Sequence, residues 1–594
     1  MARGWWEYEA AARALRMDEG ERAMKVDGTT TPKRGQRNFL GIYDLMLKTL
    51  QLDYACCARY EASGYADFIG KLYTLNANMF QSQKFCDRTL TQMMLHYLTW
   101  FQDPGMQLVV GPGAAWHVRQ DFRTQRYGDV LYVVSAEPGA QVSVGEAITR
   151  VNGMTLDEVR PEVERTLWTT VEPADPERED WSVVLAFAKH LTVRGVDGAE
   201  RVIKVDGAHE AANRAGVSGA EGAARLDGAG DARVAACDGA GEAAGDGVRA
   251  AMTADGAACD CAADGAGGRA AADAPCSLAE VDGVGVLTLR NPADPTFCST
   301  LAALLPAAQA AERLVVDVRG CRGGVQEDIY PLVPLVLAPG AVGVGPERLF
   351  GPAGIVMNYS RHNADAKLAE LAALRAQLVA SAGTADVMPD PAEARETAAP
   401  GPSAPAREAA ANVPACEAAA PGSGDVALSD AASSADPVAS ELAELDAFEA
   451  DLRAKRGHGF VHELCGPDDG FYPEGLAFDA ALLPSGTSSR TVVVLTDRFT
   501  GEAAEWLVRA ARQAGHATLV GRATIGSLDT TCPRAVRLDE DYTLIVPTAT
   551  YDAAHEGMAT LGRGIVPDVH LPWTPDALTR DTDLESACAR AREA

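Results

Sequence analysis

Apolar positions along this chain fall into three blocks with different periods. From about Arg37 to Val110 the spacing is helical. Leu45, Leu47 and Leu50 start one stripe, Phe68, Ile69, Leu72 and Leu75 a second, and Leu90, Met93, Met94, Tyr97 and Leu98 a third at i, i+3, i+4. From Tyr127 to about Val205 the pattern opens with the strand-like run DVLYVVSAE. A glycine–acid turn follows, then an alternating strand carrying Ile148 and Val151, an Asn152–Gly153 turn and a helix start at Thr155–Leu156–Asp157. Together these predict a compact β-β-α unit. The third block alternates strands with helices: GVGVLTLR from Gly283, the fully apolar LVVDVRG from Leu314, TVVVLTD from Thr491, a helix over Glu502–Gln513 and a strand over Ala517–Thr524. Apolar strands separated by helices predict an α/β fold with a mostly parallel sheet, its central strands buried on both faces.

Two stretches break the pattern. Residues 207–276 are nearly all Ala, Gly, Asp, Glu and Arg, and residues 381–440 are rich in Ala, Pro and Ser with acidic residues. Neither holds enough large apolar side chains to offset an ordering entropy of roughly 1–2 kcal/mol per residue, so both are expected to be disordered insertions. Helical segments at Ala366–Ala380 and Glu441–Lys455 flank the second and suggest a hairpin with an expanded tip. The expected organisation is a helical region at 1–126, a small β module at 127–206, the first insertion at 207–276, an α/β core at 277–380 and 441–594, and the second insertion at 381–440.

Composition narrows the function classes. The 594 residues allow two to four domains, and an aromatic content of 6% agrees with part of the length being filler. A net charge of −30 disfavours nucleic acid and anionic lipid surfaces and would draw basic peptides. No run of about 18 apolar residues is present, so no membrane span is expected. The start of the chain shows no secretory pattern, and its thirteen scattered cysteines suit reduced thiols, which points to the cytoplasm. No zinc-peptidase helix, phosphate loop or dinucleotide fingerprint is present, so no cofactor or metal is expected. His458 and His462 have metal-like spacing without an evident third ligand. Cys259 and Cys261 lie within the first insertion.

Three features in fixed order carry the candidate chemistry. LVVDVRGCRGG ends a buried strand in Gly323–Gly324, a glycine pair that either makes a tight turn or turns N–H groups toward an anionic oxygen. VVVLTDRFTGEAAEWLV reads as strand, turn and helix start, the geometry of a nucleophile elbow. GRGIVPDVHLPW closes the set. VVDVRGCRGG, LTDRFTGEAAE, LVGRATIG and LGRGIVPD resemble, in order, the family motifs IDxRxNxGG, DRxSASAxE, VGxxTxG and GxGIxPD of the tail-specific (C-terminal-processing) serine peptidases, including the tricorn-type core. The resemblance covers roughly Gly283 to Asp583 outside the second insertion. GEAITRVNGMTL resembles the PDZ-type module of that family, where GDxIxxVNG is usual. The N-terminal helices resemble the region that precedes it in cytoplasmic bacterial relatives.

The resemblance implies a peptidase that takes polypeptide tails, bound by strand addition beside the Gly145 turn with Ile148 on the neighbouring strand. It also places the family's catalytic residues. The nucleophilic serine position holds Glu502, the lysine-base position holds Ser527, and the histidine position of the other branch holds Gly105 in Asp103–Pro104–Gly105. A hydroxyl nucleophile needs a partner to take its proton. A glutamate at the elbow puts negative charge beside the site meant for an oxyanion. The expectation is therefore a hydrolytically impaired relative that holds tails without cutting them. Two alternatives stand beside it: an active peptidase using Thr500, Ser527 or a histidine such as His96, and a non-enzymatic scaffold working through its acidic insertions. Bland roles are also open, with Glu502 as a helix-capping carboxylate, Ser527 as a turn residue and His96 as a satisfied histidine.

Overall fold

The computed structural model describes residues 38–57, 86–99, 101–111, 114, 121–163, 176–205, 274–385, 437–463, 472, 475–480 and 490–593. The stripe at Phe68–Leu75, Cys259 and Cys261, and most of both expected insertions lie outside these residues. At their edges, Cys276 is 1% exposed in a strand, and the helices flanking the second insertion run to Ala385 and begin at Pro437. The described chain divides into one unit of residues 1–363 with 457–594 and a second of 364–456. The second unit consists largely of the paired helices, joined by the Arg375–Asp446 ion pair.

The sheet expected from the third block forms the heart of the first unit. Its order is 569–570, 518–521, 491–496, 313–317, 284–289, 276–281. All neighbours are parallel except the last pair, which is antiparallel. Val315 pairs with Val493 and Val316 with Val494 in register. Because side chains alternate across a strand, Leu314, Val316, Val492 and Val494 pack to one side with the helices Phe297–Ala310 and Ala503–Ala514. Val315, Val493 and Leu495 pack to the other with Ala587, Cys588 and Ala591 of the helix Thr582–Glu593. Helices on both faces explain why these strands read as unbroken apolar runs rather than alternating ones.

A second, antiparallel sheet is built on the long strand Tyr542–Tyr551, which pairs with Thr530–Arg537 along one edge and with Gln107–Val110 and Ile355–Tyr359 along the other. Against it lie the helices Phe39–Leu52 and Asp87–Thr99. Leu47, Leu50, Leu90, Met94, Tyr97 and Leu98 are buried there, as the helical spacing predicts, while Leu45 is 38% exposed.

The β module is a six-stranded antiparallel sheet, ordered 122–127, 130–136, 147–151, 190–194, 200–204, with the short strand Met154–Thr155 paired to 147–151. Asn152 and Gly153 both take positive φ, 52° and 85°, the geometry of a two-residue hairpin turn. Glu158 accepts from the Thr155 N–H at 2.8 Å and caps the helix Leu156–Val163. Within this module Ile148 is fully buried, and its strand is already paired on both edges, with Leu131 on one side and Val193 on the other. The strand carrying Ile148 therefore has no open edge. Gly145 does form a turn, at φ 90°, with its N–H on the Val133 carbonyl.

Candidate active site

The strand Thr491–Thr496 leaves the sheet through Asp497–Gly501 and enters the helix Ala503–Ala514 at Glu502. Asp497 organises this turn by accepting from the N–H groups of Gly320 and Phe499, each at 3.0 Å, and from the Thr500 hydroxyl at 3.1 Å. Thr500 Oγ1 also lies 2.9 Å from the Val318 carbonyl, and the residue is fully buried. Its hydroxyl pins the turn to the preceding loop and would have to leave its partners to attack anything.

Glu502 stands at the apex with φ 54° and ψ −125°. A glutamate held in this sparsely populated conformation carries a strain of about 1–3 kcal/mol, which the surrounding contacts must sustain. Its side chain makes no capping bond to the helix, so the capping role open to it in the sequence is not what the carboxylate does. Its backbone N–H donates to Ser527 Oγ at 2.7 Å. Ser527 Oγ in turn donates to Glu505 Oε2 at 2.7 Å, so the serine is a bridge between the apex and the first turn of the helix.

Glu505 is the residue that sequence reasoning used only as a motif anchor. It is fully buried beneath the elbow, and it accepts from the N–H groups of Gly526 at 2.9 Å and Ser527 at 2.6 Å, as well as from the hydroxyls of Thr524 and Ser527. Burial pushes its carboxyl above the usual range, opposed by those hydrogen bonds. An acidic residue three positions after the apex, in the first turn of a helix that is mostly buried, was the available signal.

The glycine pair lies against the same helix start. Gly323 and Gly324 have φ of 82° and 79°, and a Cβ on Gly324 would come within 2.5 Å of Pro292 Cβ and 3.2 Å of Ala503 Cβ. Only glycine fits there. Among the described residues, neither N–H of the pair has an acceptor. The preceding Cys321 is buried, which pushes its thiol well up, and the nearby negative charge of Glu502 adds to this.

The Gly105 loop approaches from the second sheet. Gly105 donates its N–H to Asp103 Oδ1 at 2.8 Å, and a Cβ there would meet Pro547 Cγ at 2.8 Å and Asp103 Oδ1 at 3.1 Å. A histidine at this position requires its surroundings to shift. A cleft of about 190 Å³ brings the loop and the elbow together, with Pro104 and Met106 on one wall and Phe499, Ile525 and Arg322 on others. The side chain of His96 lies outside the described residues. His462 is paired with Asp552 at 2.6 Å, and among the described residues no group of three His, Cys, Asp or Glu is arranged to hold a metal.

The loop bearing Ser527 depends on Gly526, at φ 92°, whose Cβ would lie 2.3 Å from the Thr560 carbonyl oxygen. Gly526→Ala is expected to cost about 2–4 kcal/mol from left-handed strain plus overpacking, read as a lower urea midpoint.

Residues 445–571, which contain the elbow, Glu505 and the Ser527 loop, match the model of peptidase family S41. The chain is also similar to solved structures. Mature CPAF complexed with lactacystin shares 13% identity at a TM-score of 0.48, covering 93% of this chain and 97% of that one. The photosystem II D1 C-terminal processing protease shares 11% at 0.33, with 93% and 97% covered. The tricorn protease shares 11% at 0.32, with 93% of this chain and 36% of that one covered. Among the described residues, no helix is long and apolar enough to cross a membrane.

Proposed function

We propose that this chain is an S41-family protein that holds polypeptide tails at the elbow and does not hydrolyse them. The observation that carries this reading is Glu502 at the strained apex with its N–H committed to Ser527 Oγ at 2.7 Å. Hydrolysis of the serine type needs a hydroxyl whose proton a neighbouring base can take. The hydroxyls nearest the apex are otherwise engaged: the Ser527 oxygen accepts from the Glu502 N–H while its proton holds Glu505 in the bridge beneath the elbow, and Thr500 is buried on the Val318 carbonyl. A carboxylate at the apex would repel the oxyanion of a tetrahedral intermediate. The polypeptide partner follows from the undonated N–H groups of Gly323 and Gly324, which can receive a peptide carbonyl.

Binding is testable by fluorescence anisotropy with a labelled unstructured peptide. Saturable binding, with the peptide recovered intact, is the expected result. A protein that binds no peptide is not a tail-holding one.

A further inference from the structure

Three arginines converge on the cleft beside the elbow, in a chain whose net charge is −30. Arg178, Arg322 and Arg498 line it, with Asp180 as the single carboxylate among its lining residues. Several other arginines withdrawn from solvent sit on carboxylates: Arg126 on Glu179, Arg319 on Asp317, Arg534 on Asp53.

Arg178 reaches the cleft from the β module, and Arg322 and Arg498 are held without a carboxylate within ion-pair distance among the described residues. Arg178 donates to the carbonyls of Thr524 and Ile525 at 2.7 and 3.4 Å. Arg498 donates to the carbonyls of Glu179 and Thr124 at 3.1 and 3.2 Å and lies 4.5 Å over the Phe499 ring. Arg322 Nε donates to the Phe499 carbonyl at 3.0 Å. Carbonyls and a ring face orient a guanidinium without cancelling its charge. Arg490 and Arg509 are also held on carbonyls, but each stands alone. Among the described residues, neither Arg322 nor Arg498 forms an ion pair, and the buried Nε of Arg498 has no acceptor. Burial of Arg498 pulls its guanidinium below the usual arginine range, opposed by the charges of Asp180 and Asp497 nearby. Asp180 gives one oxygen to the Ser182 N–H at 2.9 Å. Arg322 also abuts the elbow, since a Cβ on Gly501 would lie 3.6 Å from its Cδ.

We infer that this cleft is a subsite for a carboxylate carried by the bound peptide, from an aspartate or glutamate side chain or from a free chain terminus. The inference rests on the tail-holding reading above. It reverses, at the site itself, the preference for basic peptides that the bulk charge suggests, because fields close to a small cleft are set by the groups lining it. Its volume suits one short side chain or terminus rather than a whole ligand.

The test uses the full chain and three labelled peptides of equal length in an anisotropy titration. One carries a central glutamate and an amidated end, one a glutamine with a free terminus, and one a glutamine with an amidated end. At least one carboxylate peptide is expected to bind about ten-fold or more tighter than the third, as a charged hydrogen-bonded pair warrants, and whichever of the two does so names the source. Arg322 is exposed, so Arg322→Glu leaves the fold intact, checked by unchanged thermal unfolding, and is expected to abolish the preference. Arg322→Lys is expected to retain part of it. Equal affinity for all three peptides, or a preference that survives in Arg322→Glu, overturns the subsite while leaving tail-holding in place. Failure of all three peptides to bind overturns both.

Discussion

Glu502→Ser combined with Ser527→Lys is expected to convert a chain that leaves peptides intact into one that cuts them. The elbow already presents the side chain of residue 502 at φ 54°, at the mouth of a helix. The present Ser527 hydroxyl lies 2.7 Å from the Glu502 N–H, so a lysine at 527 reaches the new serine oxygen. The same change removes the acceptor that engages the apex N–H and frees that donor. A positioned general base contributes typically 10²–10⁴-fold, so the double variant is expected to cleave an unstructured peptide at least about 100-fold faster than the wild type. Each single variant is expected to gain little, because a hydroxyl without a base, or a base without a hydroxyl, leaves the pair incomplete. The route through Glu502→Ser combined with Gly105→His is less open, since any Cβ at Gly105 meets Pro547 Cγ at 2.8 Å. Release of new termini, followed by mass spectrometry, is the readout.

Glu505→Ala is expected to be the most destabilising single change at the site, by about 3–5 kcal/mol, because it strands buried donors that nothing else can satisfy. Four donors converge on this carboxylate: two backbone N–H groups and the hydroxyls of Thr524 and Ser527. Glu505→Gln is expected to cost less, about 1–3 kcal/mol, since its carbonyl oxygen still accepts while its amide opposes one N–H. The carboxyl also leaves a signature in pH. Burial raises it in the folded state above the ordinary glutamate value of 4.5. Between these two values the native state binds the proton more fully than the unfolded chain. Stability is therefore expected to fall as pH rises from about 4.5 through the folded value. Asp103, raised by burial beside Tyr54, Gly105 and Thr530, acts in the same direction from 3.8 upward. Urea unfolding across this range should show the slope reduced in Glu505→Gln. An unchanged slope would mean that the carboxyl titrates alike in both states.

The sheet was legible because its strands are buried on both faces. Runs such as LVVDVRG have no polar face to confuse their period, and Leu314–Val316 and Val492–Val494 lie where such runs must. The antiparallel sheet on Tyr542–Tyr551 was not legible in the same way, since its strands are joined by long-range pairing to residues as distant as Gln107. At the site, the glycines and the elbow were readable from residue types that tolerate positive φ and tight approach. The bridge from the Glu502 N–H through Ser527 to Glu505 was not, because it joins a backbone group to side chains 25 and 3 residues away. Ile148 shows the opposite limit: its alternating strand was recognised, yet only the pairing on both edges reveals that it is closed to a peptide. The arginine cleft escaped notice because its residues come from three separated segments within an acidic chain.

Mass spectrometry of an unstructured peptide after long incubation with the wild-type protein addresses the elbow most directly. The account predicts that the peptide stays whole at a protein concentration that binds most of it. New termini that vanish when Thr500 or Ser527 is changed to alanine would show that a hydroxyl at the elbow still attacks, and would contradict it.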